Sequence, residues 1–302
     1  MNIEIAKYLN NARAGYTFVF DDGCYMDSTK KTVEIFKDIE KRTGVKIKAT
    51  SAQTVNFLSN EKIELWKEII KEGYYDVAGH SMSHGLCFNE ETDWDVREND
   101  AKETKEALEK LYGVPMLCYV APNGGHTKEG CKPLHKYYYA NRNGNEGGCD
   151  PDTMDMYDIG VFIARFVYDT EKPYTDFVDK LVEKGEYAIQ INHWLTDKES
   201  DTHHSQRTYT FEAECEYLAK LVLDGKLWIA SMNDAVKYFY ERKNAQISTQ
   251  DNKITVSHTL DKQIFDMPLS LVITADEDKT VEINGTPFEI KAGKENVVTI
   301  EI

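Results

Sequence analysis

The chain has no apolar run long enough to span a bilayer, no Cys-x-x-Cys pair, no repeated or low-complexity segment and no surplus of positive charge. Each absence removes a class. Without a long apolar run, a membrane-embedded role falls away. Without paired spacing, the cysteines Cys24, Cys87, Cys118, Cys131, Cys149 and Cys215 read as scattered free thiols rather than a disulfide frame. The 36 basic residues are outnumbered by 52 acidic ones, for a formal charge of -16. That balance argues against nucleic acid as a partner, because affinity for phosphates rests largely on cationic contacts. Neutral or cationic substrates fit better. The N-terminus, Met-Asn-Ile-Glu-Ile-Ala-Lys, also lacks the basic start, apolar centre and small-residue cleavage site of a secretory signal. A cytoplasmic protein is expected, or an exported one already relieved of its leader.

What is present is ordinary globular material arranged in a regular rhythm. At 302 residues, 41% hydrophobic and 29% charged, the chain can bury a full core, either as one large domain with a small one or as an α/β barrel with an extension. Short β-prone runs alternate with helical patterns: Tyr16 to Phe20, Val45 to Ala49, Tyr75 to Ala78, Met116 to Val120, Ile159 to Phe166, Tyr187 to Ile191 and Leu227 to Ala230. Between them, sets such as Ile63, Trp66 and Ile70, or Phe211, Cys215, Leu218 and Val222, carry the three-and-four spacing of a buried helical stripe. Gly44, Gly73, Gly113, Gly185 and Gly225 stand where such helices would end, as C-terminal caps. This predicts repeated β-α units around a mainly parallel sheet or barrel over residues 1–245. Asn141 to Asp155, glycine-rich and polar, reads as a long loop at its mouth. After Arg242 the pattern changes to alternating strands with an Asn284-Gly285 hairpin turn, so 246–302 is expected to form a small β-sandwich-like appendage. Glycan binding, covering a barrel end and joining a homo-oligomer are roles open to that appendage; plain packing is the default.

Chemistry concentrates at the ends of the expected strands. Phe18-Val-Phe-Asp-Asp-Gly23 ends an apolar run with adjacent carboxylates, and Gly79-His-Ser-Met-Ser-His84 follows the third strand. Successive side chains of a strand leave opposite faces, so Asp21 and Asp22 suit two different jobs. One carboxylate can join two histidines around a cation with open positions for water, while the other stays free as a base. Pro122-Asn-Gly124 follows the fourth strand and His193 ends the sixth. In parallel α/β folds the carboxyl ends of strands are where functional groups gather.

These runs resemble the polysaccharide deacetylases, also called NodB-homology proteins or family-four carbohydrate esterases. Phe-Val-Phe-Asp-Asp-Gly is similar to their Thr-Phe-Asp-Asp-Gly motif, Gly-His-Ser-Met-Ser-His to their His-Ser/Thr-x-x-His motif, and Ile191-Asn-His193 to their Leu-x-His motif. The resemblance covers roughly residues 10–245. It implies a distorted (β/α)7 barrel that hydrolyses N-acetyl amides of an amino-sugar-containing saccharide. It further implies one divalent metal held by Asp22, His80 and His84, with Asp21 as base and His193 as the acid that protonates the departing amine. Zinc is the default ion for such a ligand set, with cobalt, manganese or nickel as alternatives. A backbone N–H near Asn123 is a candidate oxyanion donor, and Trp194 a candidate surface for a sugar ring.

Two of the family's features are missing. The third motif usually reads Arg-x-Pro-x-Gly, with the arginine turned toward the base; here the run is Val120-Ala-Pro-Asn-Gly124. Arg165 is the candidate replacement. The family's fourth motif, an Asp-x-x-Asp-Trp type that supports the histidine acid, has no clean counterpart, and Asp169 is its nearest candidate. These departures keep two further readings open: an amide hydrolase of the same fold acting on a cyclic amide or formamide, and a glycan-binding protein with a decayed site.

Overall fold

The structure, a computed structural model, describes residues 1–124, 126–163 and 166–302. Its strands, in chain order, are β1 (Asn2–Ile5), β2 (Ala14–Phe20), β3 (Ala49–Gln53), β4 (Tyr75–Gly79), β5 (Cys118–Val120), β6 (Ala140–Glu146), β7 (Ile159–Ile163), β8 (Tyr187–Asn192), β9 (Trp194–Thr196), β10 (Ser205–Arg207) and β11 (Leu227–Ile229). The helices are α1 (Met26–Thr43), α2 (Asn60–Glu72), α3 (Trp94–Tyr112), α4 (Lys172–Lys184), α5 (Thr208–Leu223) and α6 (Met232–Asn244). Strands β2 to β8 pair in parallel, each with the next, and β8 returns to β2 through Gly15↔Tyr187 to Phe20↔Asn192. Among the described residues this is a closed seven-stranded parallel barrel, the (β/α)7 architecture.

The alternation of side chains along β2 explains how the barrel is filled. Phe18 and Phe20 face outward into a cluster with Phe36, Phe211 and Leu218 of the surrounding helices, whereas Val19 joins Ala52, Ala78, Val120, Val161 and Ile189 on the other face. Helix α6 packs Met232, Val236 and Phe239 into that second cluster. Gly44, Gly73, Gly113 and Gly185 sit left-handed at the C-caps of α1 to α4, with φ of 76°, 76°, 68° and 71°.

Three elements differ from expectation. The strand expected over Val45 to Ala49 begins only at Ala49 and runs on to Gln53 as β3. The stretch expected as a loop from Asn141 begins instead with a barrel strand, β6, paired with β5 through Cys118↔Ala140 to Val120↔Arg142 and with β7 through Arg142↔Ile159. Its sequence, Ala-Asn-Arg-Asn-Gly-Asn-Glu, has low β propensity; neighbours on both sides override that preference. Conversely, Leu227–Ile229 is no member of the closed ring. It pairs with the start of β2 alone, Leu227↔Ala14 to Ile229↔Tyr16, below the point where β3 takes over at Phe18↔Ala49.

Beyond α6 the chain is all β: β12 (Gln246–Gln250), β13 (Lys253–Ser257), β14 (Leu269–Thr274), β15 (Lys279–Ile283), β16 (Thr286–Ile290) and β17 (Asn296–Ile300). One sheet runs β12-β13-β15-β16; the other runs β1-β14-β17, so the first strand of the chain is sewn antiparallel into the C-terminal strands. Ile254, Leu271, Ile273, Val281 and Ile290 form the core of this part. Among the described residues, no helix is long and apolar enough to cross a membrane.

Candidate active site

Strand β2 ends at Phe20, and the chain turns sharply just beyond it. Asp21 keeps sheet geometry by donating its N–H to the Asn192 carbonyl of β8 at 2.8 Å. Asp22 then takes a left-handed backbone, φ 73°, followed by Gly23 at φ 69°, where an added Cβ would come within 2.7 Å of Gln53 Cγ. A positive φ is costly for an aspartate and persists only where the surroundings impose it. The turn sends the neighbouring carboxylates to different partners.

After β4 the segment His80 to His84 is pinned just as tightly. His80 N–H donates to the Gln53 carbonyl at 3.0 Å, and the His80 carbonyl accepts from Thr54 Oγ1 at 3.0 Å. His84 N–H donates to Ser81 Oγ at 2.8 Å, while Asn123 Nδ2 donates to the His84 carbonyl at 2.7 Å. Ser81, His84 and Asn123 all carry positive φ, at 67°, 62° and 65°. Gly79 has to lack a side chain, since a Cβ there would lie 2.9 Å from Tyr138 Oη and 3.0 Å from the Tyr119 ring.

The result is a three-residue convergence. His84 Nε2 lies 3.4 Å and His80 Nε2 3.8 Å from Asp22 Oδ1, and one ligand atom from each of the three residues falls within 4.8 Å of the others. His80 Nδ1 is 2.7 Å from the Val120 carbonyl, which fixes that nitrogen as the N–H donor and leaves Nε2 as a lone pair. Burial holds His80 below its ordinary pKa, against the pull of Asp21, so the ring stays neutral. His80 Nε2 and Asp22 Oδ1 are both buried and lack a hydrogen-bond partner. Buried polar atoms are rarely left so. Two orphaned acceptors aimed at one point, with a third nitrogen beside them, fit a divalent cation.

Asp21 looks the other way. Arg142 of β6 donates Nη1 to Oδ1 and Nη2 to Oδ2 of Asp21, both at 2.9 Å, and the two side chains are only 5% and 6% exposed. Burial alone would raise the carboxyl's pKa, but Arg142, with His80 and His193, outweighs it and holds Asp21 below the usual carboxylate range. Arg142 is the functional residue the sequence reading missed, because it lies in the segment taken for a loop. The available signal was positional: a buried arginine needs a carboxylate, and the third motif had lost its own.

These groups open into a cavity of about 540 Å³ whose lining includes Asp21, His80, His84, Asn123, Arg142, His193 and Trp194. Tyr25, His126 and His204 line it too. His193 follows β8, its ring 5.6 Å from His204, a residue held at φ 59°. Burial lowers His126 to about 4 and leaves its Nδ1 unpartnered. Trp194 packs against Tyr25 with ring centroids 4.8 Å apart and planes tilted by 35°, and donates its indole N–H to Asp201 at 3.3 Å. Asp169 stands apart: it is exposed, is bonded by Arg207 and Tyr209, and does not line the cavity. Arg165 lies outside the described residues.

Residues 11–141 match the family model described as polysaccharide deacetylase, in keeping with the resemblance read from the motifs. A solved chain from Mycobacterium smegmatis assigned to the polysaccharide deacetylases is 12% identical over 80% of this chain and 94% of its own, with a TM-score of 0.50, a likeness of fold. A family 4 acetyl xylan esterase from Clostridium thermocellum, in complex with a cobalt ion, is 14% identical over 74% of this chain and 91% of its own, TM-score 0.48. The Xyl-CE4 domain of a multidomain xylanase from the hindgut metagenome of Trinervitermes trinervoides is 13% identical over 76% and 91%, TM-score 0.47. No curated protein matches.

Proposed function

We propose that this chain, whose residues 11–141 carry the polysaccharide deacetylase pattern, is a metal-dependent hydrolase that removes N-acetyl groups from an amino-sugar-containing saccharide. The observation that carries the reading is the pair of orphaned buried acceptors, Asp22 Oδ1 and His80 Nε2, converging with His84 beside a carboxylate that Arg142 keeps apart. Asp22, His80 and His84 would hold the ion, zinc by default. A divalent cation there supplies Lewis acidity toward water and an amide carbonyl.

The chain's own residues do the rest. Asp21, anionic and fixed by the Arg142 fork, accepts the proton of the attacking water through a lone pair that the fork leaves free. His193, on the adjoining strand end of the same cavity, delivers a proton to the departing amine. The Asn123 side chain is already committed to the His84 carbonyl, so its part in oxyanion stabilisation falls to the backbone N–H of that turn. Trp194 and Tyr25, tilted against each other, present aromatic surface to a sugar ring. Catalysis is assigned to residues 1–245; the 246–302 strands, which take β1 into their sheet, are assigned a packing role.

Arg142 offers Asp21 the guanidinium that the third motif lacks, which favours the deacetylase reading over a cyclic-amide or formamide substrate. The test is acetate release from N-acetylglucosamine oligomers by zinc-loaded protein, with and without chelator, beside cyclic ureides and formamides. Chelator-sensitive acetate release is expected. Turnover of the ureides or formamides alone would overturn the substrate class.

A further inference from the structure

Strand β4 carries polar chemistry at both ends. His80 follows its last residue, while Asp76 is second from its start, at the end of the barrel opposite the candidate active site. There Asp76 meets Asn233 of α6: the Asn233 N–H donates to Asp76 Oδ2 at 3.1 Å, and Asn233 Nδ2 donates to the Val77 carbonyl at 3.2 Å. The remaining oxygens, Asp76 Oδ1 and Asn233 Oδ1, are buried and have no hydrogen-bond partner among the described residues. Asn233 as a whole is only 9% exposed. Both residues line a cavity of about 300 Å³ whose walls also include Ile70, Val77, Val114, Leu117 and, from the loop between β13 and β14, Ile264. We infer that this cavity binds a small primary ammonium ion on a short apolar body, a site independent of the deacetylase reading.

Two bare acceptors call for a ligand with more than one hydrogen to donate. Charge narrows the choice. The lysines around the cavity are committed elsewhere: Lys237 Nζ to Asp266 Oδ1, Lys48 Nζ to Asp234 Oδ2 and Lys105 Nζ to Glu109 Oε1, each at 2.7 Å. Asp76 is thus left without a counter-charge among the described residues. Burial, joined by Asp234, raises its carboxyl to about 7 against the Ser231 and Thr50 hydroxyls and the Asn233 N–H. The Cys118 thiol of β5, which also feels Asp76, is itself pushed up by burial. A water molecule satisfies the oxygens but not the charge, and it leaves the apolar walls bare. An ammonium head supplies three donors and the missing charge, while its alkyl body covers Val114, Leu117 and Ile264. The formal charge of -16 draws such a cation from a distance.

The test is titration calorimetry of the full chain with n-butylammonium, tetramethylammonium and n-butanol. n-Butylammonium is expected to bind with a Kd on the order of 0.1–1 mM, within reach of so small a ligand. Tetramethylammonium has the charge but no donor, and n-butanol the body but no charge; each should bind at least about tenfold more weakly. Because the cation pairs with ionised Asp76, affinity should fall about tenfold from pH 8 to pH 6. About one proton should leave on binding at pH 6, read as a dependence of the heat on the buffer's own ionisation. Asp76→Asn should weaken binding about tenfold or more and abolish the proton release. Val114→Trp, on a half-buried wall residue, should block the cavity without touching the carboxylate, and it decides the matter if Asp76→Asn does not fold. No heat from n-butylammonium, equal binding of all three probes, or an affinity unmoved in both variants overturns the inference.

Discussion

Arg142 grips Asp21 with both arms of its guanidinium, two parallel hydrogen bonds of 2.9 Å between side chains that are 121 residues apart in sequence and almost wholly shielded from water. Such a fork sets position as well as charge, and a lysine cannot reproduce it. Arg142→Met should lower kcat by about a hundredfold by freeing the base to rotate. It should also destabilise the fold by about 3–5 kcal/mol, because a buried carboxylate loses its counter-charge. Arg142→Lys should fall between the two in both respects. Steady-state kinetics and denaturant unfolding on the same preparations check this; an Arg142→Met protein of wild-type kcat would remove Arg142 from the mechanism.

Asp21 and Asp22 are adjacent in sequence and opposed in role, and metal analysis can separate them. Asp21→Asn should keep its zinc and lose about 10²–10⁴ in rate, the usual worth of a positioned base. His80→Ala should lose both, since it removes one of the two orphaned acceptors. Plasma emission of dialysed protein, paired with acetate assays, gives the readout. An Asp21→Asn protein at full activity would transfer the base to another group.

How much of this could be read in the residues depends on whether the signal is local. The barrel's rhythm was legible because Tyr16 to Phe20, Tyr75 to Ala78 and Tyr187 to Ile191 are short runs that are apolar but for Thr17, Asp76 and Gln190, close to the continuous apolar pattern of buried parallel strands. The convergence of Asp22, His80 and His84 was legible because His80 and His84 sit in one short motif and Asp22 in another. Strand β6 was not. Its Asn141 and Arg142 are buried polar groups and its Gly144 and Asn145 look like a turn, so only the partners on either side make it a strand. Arg142 was lost with it. Leu227–Ile229 erred in the opposite sense: fully buried and apolar, it has a barrel strand's composition but pairs along only the first residues of β2.

Ligand-linked stability offers a check on the site that needs no substrate. An ion that binds only the folded chain at a hundred times its Kd adds about 2.7 kcal/mol, which for a chain of this size raises Tm by about 4 °C. Zinc should therefore shift the melting of wild type and of Asp21→Asn alike. Asp22→Asn should abolish the shift, because its Oδ1 is the acceptor facing both imidazoles. Scanning calorimetry with zinc and with chelator decides it, and an unchanged shift in Asp22→Asn would place the ion elsewhere.

Glu214 of α5 gives the fold a dependence on pH that is separate from the site. Its carboxylate is fully buried, accepting from Gln206 Nε2 at 2.7 Å and Gln190 Nε2 at 3.3 Å, with the Tyr16 hydroxyl at 3.4 Å. Burial outweighs these bonds and raises its pKa to about 7 from an ordinary 4.5. The folded chain thus holds a proton that the unfolded chain releases between those two values. Stability contributed by the neutral acid is fully present below about pH 4.5 and is lost as pH rises through 7. The loss is on the order of a few kcal/mol. Glu214→Gln keeps an acceptor for the two amides and turns its NH2 to the Tyr16 hydroxyl, which itself donates to Gln190 Oε1. The variant should be more stable than wild type at pH 8, equal to it near pH 4.5, and flatter between. Asp76 and Glu241, which burial also raises to about 7, keep a residual slope. Urea unfolding across that range is the measurement, and parallel wild-type and Glu214→Gln curves would show that Glu214 ionises in the fold as freely as in water.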